Sequence, residues 1–243
     1  MKRSLLGVAA LLVLTACAAS PSEASVSEET ASATAAVSAA PDPTEPPGAT
    51  PAPTPTPSPV PEETMFQRYI EKFSDPEESV ETTVTANGCT LTLEDSLDTE
   101  PELLVYQSYL YEAEGDWDRL EPLMDGDTTL AHTAELAAKQ YRDGEAGMES
   151  QTIHELHVMT REEVQGASDY SRRELQQVLA DYDLQQWTMV AVDLSWTYTP
   201  EKEAAGPQLP EGRYQRYYLL GIPSGAGDWK LYQVYWEDFY PQS

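Results

Sequence analysis

Val190, Val192, Leu194, Trp196 and Tyr198 alternate with Asp193, Ser195 and Thr197. That two-residue period predicts a strand over residues 187–198, with an apolar face toward a core and a polar face toward water. Trp196 is expected at the centre of the apolar face. Two more strands are expected over 214–222 and 229–239, both rich in aromatic and branched residues. Earlier in the chain, Val80–Ala86 and Cys89–Leu93 flank Asn87-Gly88. Both central positions of a two-residue turn need positive φ, so Asn-Gly is a strong hairpin signal. The register pairs Ala86 with Cys89, Val84 with Leu91 and Thr82 with Leu93. Val80, Val84, Cys89, Leu91 and Leu93 then share an apolar face opposite Thr83, Thr85, Thr90 and Thr92. Residues 153–159 supply another strand.

The helical period is just as readable. Thr64-x-x-Gln67 is a capping box, and Phe66, Tyr69, Ile70 and Phe73 follow at helical spacing, which predicts a helix ending before Asp75-Pro76. Thr99-x-x-Glu102 is a second box, with Pro101 in its first turn. It opens a helix through Leu103, Leu104, Tyr106, Leu110 and Tyr111 to a cap at Gly115. Asp116 caps a short helix bearing Trp117, Leu120 and Leu123. A further helix puts Leu130, Ala134, Ala137 and Tyr141 on one stripe and stops near Gly144. Ser171-x-x-Glu174 starts another, with Leu175, Val178 and Leu179. Helices first and long strands last define an α+β domain: N-terminal helices packed on one side of a curved, mainly antiparallel sheet.

The N-terminus alters this picture. Lys2 and Arg3 precede the apolar run Leu5–Leu14, which is too short to span a bilayer, and Cys17 follows Leu14-Thr15-Ala16. This stretch resembles a bacterial lipoprotein signal. The resemblance implies removal of residues 1–16 and attachment of lipid at Cys17. Two or three acyl chains anchor a protein durably, at about 0.8 kcal/mol per buried methylene. The expected attachment is therefore to a membrane through lipid alone, on the outer face of the cytoplasmic membrane or elsewhere in the envelope.

Residues 17–63 hold 11 of the 19 prolines and no aromatic residue. With no apolar surface to offset ordering entropy, they are expected to form a disordered Pro/Thr/Ser-rich stalk. In polyproline-like form, at about 3.1 Å per residue, such a stalk reaches on the order of 100 Å. Residues 64–243 contain all 5 Trp, all 14 Tyr and all 3 Phe, and so form the single globular domain. It carries 35 acidic against 12 basic side chains. That field excludes nucleic acid and anionic lipid headgroups as main partners. With Cys17 lipidated, Cys89 is the one thiol left, so no internal disulfide is available, and its place on an apolar face marks it as a core residue.

Glu114-Gly115-Asp116-Trp117-Asp118-Arg119-Leu120 after a helix, and the closing Gly227-Asp228-Trp229-Lys230-Leu231-Tyr232, resemble the nuclear transport factor two-like superfamily over roughly residues 99–241. The resemblance implies helices and sheet enclosing a cone-shaped pocket, used by some relatives for catalysis and by others for binding. The hairpin at Asn87-Gly88 departs from the family's helix-first order.

Motifs for chemistry are few. His154 and His157, three apart in a strand, are expected on opposite faces and cannot share a metal. His132 has no second ligand at helical spacing. Asp125-Gly126-Asp127 and Asp181-Tyr182-Asp183 lack an EF-hand pattern and read as solvated turns. Asp193 falls on the polar face, which denies a pocket enzyme its inward acid. No metal and no cofactor is expected. Candidate pocket or core aromatics are Trp196, Tyr214, Tyr218 and Trp236. The expected function is non-catalytic binding or scaffolding at the cell surface, with an unknown protein, cell-wall or small-molecule ligand. The alternative is a small-pocket enzyme, isomerase- or dehydratase-like, acting on an exported small molecule.

Overall fold

A computed structural model describes residues 57–76, 79–224, 227–236 and 239–240. The lipoprotein-like signal, Cys17 and most of the expected stalk lie outside the described residues. Six strands form one open sheet: β1 (Thr83–Ala86), β2 (Cys89–Leu93), β3 (Met148–Val158), β4 (Leu184–Tyr198), β5 (Gly212–Pro223) and β6 (Lys230–Tyr235), adjacent in chain order. Only β2 and β3 run parallel. Their crossover is filled by α2 (Glu100–Glu114), α3 (Trp117–Leu120) and α4 (Thr129–Arg142).

The hairpin has the expected register, with Asn87 and Gly88 both at positive φ. Cys89, Leu91 and Leu93 are buried, while Thr83 and Thr85 face water. α2 begins with the full Thr99/Glu102 capping box and ends at Gly115, whose φ is 67°. Only glycine suits that position, because a Cβ there would also lie 2.7 Å from Arg142 Cβ and 2.9 Å from its backbone nitrogen. On α4 the inward stripe is Ala131, Ala134, Ala138 and Tyr141, rotated slightly from the expected one. Small residues there let α4 lie close against α2.

The first expected helix is much shorter. α1 covers Glu62–Gln67, and Thr64 sits inside it rather than capping it. Tyr69 instead forms a bridge with Trp187, and Ile70 N–H donates to the Trp187 carbonyl at 2.9 Å. Pairing with the sheet requires extended chain, and that tertiary contact overrides the local helical period. Ser171 likewise does not cap its helix. α6 runs Asp169–Asp181 with Ser168 as cap, and Ser171 is buried within its first turn. Two short helices, α5 (Arg161–Gln165) and α7 (Pro200–Ala205), were not expected. The domain's described contacts also start before residue 64, since Val60 N–H donates to the Gln176 carbonyl.

The expectation of helices on one side of the sheet is corrected. Val190, Val192, Leu194 and Trp196 do face α2 and α4, together with Leu91, Ile153, Leu156 and Leu220. Trp187, Met189 and Ala191, on the other face of β4, form a second core with α1, α5, α6 and Phe239. Residues 187–192 are apolar on both phases apart from Thr188, as in a strand covered on both faces. The second cover stops midway. Farther along β4, Asp193, Ser195 and Thr197 look outward beside the threonines of β1 and β2, so the polar-face expectation holds for that half alone.

Candidate functional site

On the α2/α4 side, β5 presents Tyr214, Arg216 and Tyr218 at alternate positions, opposite Leu194, Val192 and Val190 of β4. Trp196 shares that face, and Trp236 follows β6 onto it. α2 contributes Tyr109 and, three residues later on the same stripe, Glu112; α4 contributes Tyr141. The four aromatics singled out from sequence therefore gather around one residue the sequence reading missed, Arg216.

The Arg216 guanidinium carbon sits 4.2 Å from the Trp236 ring centroid and 5.4 Å from that of Trp196. Such cation–π contacts strengthen as water is excluded. Trp196 is 3% exposed and stacks on Tyr214 with centroids 4.3 Å apart and planes at 8°. Tyr218 donates its hydroxyl hydrogen to the Tyr109 oxygen at 2.9 Å. Among the described residues of the cluster, the buried Arg216 Nε has no acceptor, and the buried Trp196 Nε1 interacts with the Tyr198 hydroxyl without reaching good hydrogen-bond geometry. Leaving buried donors unmet costs on the order of 1–3 kcal/mol each, more for a charged group.

Burial opposes the Arg216 charge, but Tyr109, Tyr218 and Glu112 outweigh it and hold the guanidinium above its ordinary pKa. Burial drives the Glu112 carboxyl up to about 7, with Arg216 pulling the other way. Burial also raises the Tyr109, Tyr141 and Tyr218 hydroxyls above their usual range. The cluster thus holds one fixed cation and one carboxyl that changes charge near neutrality, walled by aromatic rings. Cys89, 1% exposed beside Tyr141, is pushed up to about 11 by burial and is a core thiol, not a nucleophile.

The histidines fall elsewhere. β3 has a register shift at Ile153/Glu155, so that His154 and Glu155 both stand opposite Asp193. This extra residue reverses the alternation beyond it and puts His157, opposite Ala191, on the same face as His154. The expected opposite facing is thereby corrected. His157 pairs with Glu155 and Glu163, whereas His154 lies between Glu94 and Ser195. Among the described residues no cluster of three or more potential ligands surrounds a metal position. His132 lines an open surface cleft of about 440 Å³ with Trp117, Glu135, Leu136, Lys139 and Arg142. The Asp125 and Asp183 segments are turns, with Asp125 Oδ1 accepting from Asp127 N–H and Asp183 at φ 49°. Asp193 accepts two bonds from Arg213, at 2.7 and 2.6 Å, on the outer face and away from Arg216.

Comparison with family models, curated proteins and solved structures finds no match to this chain. Among the described residues no helix is long and apolar enough to cross a membrane.

Proposed function

We propose that the chain is a lipid-anchored, extracytoplasmic binding domain. On this reading it holds a small acceptor-bearing molecule, a carboxylate or a carbonyl compound, in a nuclear transport factor two-like pocket between α2/α4 and β4–β6. The observation that carries the reading is the buried, acceptorless Arg216 Nε inside an aromatic wall. A ligand supplying an acceptor there would gain a hydrogen bond that the free protein lacks. Binding to the folded state alone raises apparent stability by mass action. Benzoate and benzamide should each be tried as probes in thermal unfolding. At least one should raise the Tm of the wild type and leave Arg216→Met unmoved. No rise with either probe at millimolar concentration would remove the reading.

The anchor has its own test. The signal-like Leu14-Thr15-Ala16-Cys17 supports attachment through Cys17. Cys17→Ser should release the protein into the soluble fraction or leave it unprocessed. A processed Ser variant still held in membranes after a high-salt wash would contradict the anchor.

Glu112 favours the second reading, a pocket enzyme. A carboxyl with a pKa of about 7 beside tyrosine hydroxyls is suited to moving a proton at neutral pH. The two readings part at Glu112→Gln: a binding site keeps its ligand, whereas an enzyme keeps its ligand and loses turnover.

A further inference from the structure

The outer, uncovered half of the sheet carries a second constellation, independent of the Arg216 cluster. Glu94 just past β2, His154 on β3, Ser195 on β4 and Arg213 on β5 occupy four neighbouring strands, with Arg213 directly opposite Ser195. His154 Nδ1 lies 2.6 Å from Glu94 Oε2, and His154 Nε2 lies 2.8 Å from Ser195 Oγ. A carboxylate can only accept, so Glu94 places the ring proton on Nδ1 and leaves the Nε2 lone pair facing the Ser195 hydroxyl. Acid, imidazole and hydroxyl in that order are what nucleophilic acyl transfer requires, whatever the fold. Arg213 is fixed by Asp193 through Nε and one terminal nitrogen, which leaves its other terminal nitrogen outside that pair. The irregularity in β3 falls at His154, and such bulges are enriched beside active sites.

We propose that Ser195, His154 and Glu94 form a serine-nucleophile site for acyl esters, with Arg213 supplying positive charge to the developing oxyanion. Ser195 Oγ attacks the ester carbonyl and passes its proton to His154 Nε2. The tetrahedral species collapses, the carbon–oxygen bond to the alcohol breaks, and the Nε2 proton leaves with that alcohol. Water then attacks the acyl-serine and gives a proton to Nε2, which returns it to Oγ as the acid departs. Ester and water thus become acid and alcohol, with no other reactant. Ser195 and His154 are the catalytic residues and Glu94 is a positioning residue.

The surroundings select the substrate. The face is open, and Thr83, Thr92 and Thr152 continue the Ser195 row across β1, β2 and β3. An open hydroxyl-lined plane encloses no small molecule but can lie along a polar polymer. The ester it suits is an O-acyl group displayed on a polysaccharide.

A fluorophosphonate probe on the intact protein is the first test. Labelling should map to Ser195, disappear in Ser195→Ala and fall at least ~100-fold in His154→Gln. Unfolding midpoints of both variants should match the wild type, which separates lost chemistry from lost fold. Acetate release from acetylated xylan should follow the same order. Glu94→Gln should lower kcat with KM unchanged, and Glu94→Asp should restore part of it. An unlabelled wild type, or labelling that persists in His154→Gln, overturns the site. Labelling with hydrolysis of p-nitrophenyl acetate but not of the polysaccharide ester overturns the substrate assignment.

Discussion

Replacing Trp187 by alanine should destabilise the domain by about 3–5 kcal/mol, as truncation of a fully enclosed indole does. Trp187 is 0% exposed and packs on Tyr69 and Phe66, with centroids 4.5 and 6.0 Å away. Its indole N–H donates to the Met65 carbonyl at 2.9 Å, which would be left without its donor. The backbone of Trp187 also pairs with Arg68 and Ile70, so the loss should loosen the whole α1 segment. A urea melt measures the cost. Typical domains hold about 5–15 kcal/mol in all, so the effect should be plain in the midpoint. A loss below about 1.5 kcal/mol would mean that the second core contributes little and that the α2/α4 side carries the fold.

The other large effect should appear as a function of pH. The folded Glu112 carboxyl titrates at about 7 against an ordinary 4.5, so between those values the native state binds more protons than the unfolded chain. Stability from this group is therefore fully present below about 4.5 and is lost as pH rises through 7. The loss is at most on the order of 3 kcal/mol, since part of Glu112 remains accessible to water. Other carboxylates add their own slopes, so the quantity to read is the difference between Glu112→Gln and wild type. That difference should move in favour of the variant between pH 4.5 and 7.5, then level off. A difference flat across the range would place the Glu112 carboxyl in water.

The β-structure was legible where short-range rules act alone. Asn87-Gly88 dictated its hairpin down to the register, and the phase of Val190–Trp196 set which side of β4 meets α2. The Thr99 box and Gly115 likewise bounded a helix that needs no distant contact to be defined. The misreading of the first helix comes from a contact remote in sequence. Phe66, Tyr69 and Ile70 have helical spacing, but the backbone near Tyr69 is taken by Trp187, more than a hundred residues on. The second helical layer did leave a trace in the double-phase apolar run 187–192, which an alternation reading passes over.

The candidate site was half legible. The aromatic density of β5 and β6 pointed to Trp196, Tyr214, Tyr218 and Trp236. Their common neighbour was also marked, since Arg216 interrupts the apolar phase Tyr214-x-Arg216-x-Tyr218, and a charge on a core phase is costly unless it is used. Nothing local tied it to Glu112, because that pairing exists only once α2 crosses the sheet. Ser195, His154 and Glu94 come from three separate segments, and only the assembled sheet brings them together on one face.

The uneven cover of the sheet has a further consequence, for how the molecule breathes. Amide protons of the first half of β4 and of Tyr217–Leu220 lie between two cores and can exchange only when the whole domain opens. The β1–β2 hairpin is braced from one side, and β1 pairs with β2 alone. Opening should thus begin at the threonine-rich edge and advance toward β4, which makes that edge the first part of the described fold to yield to heat, denaturant or a protease.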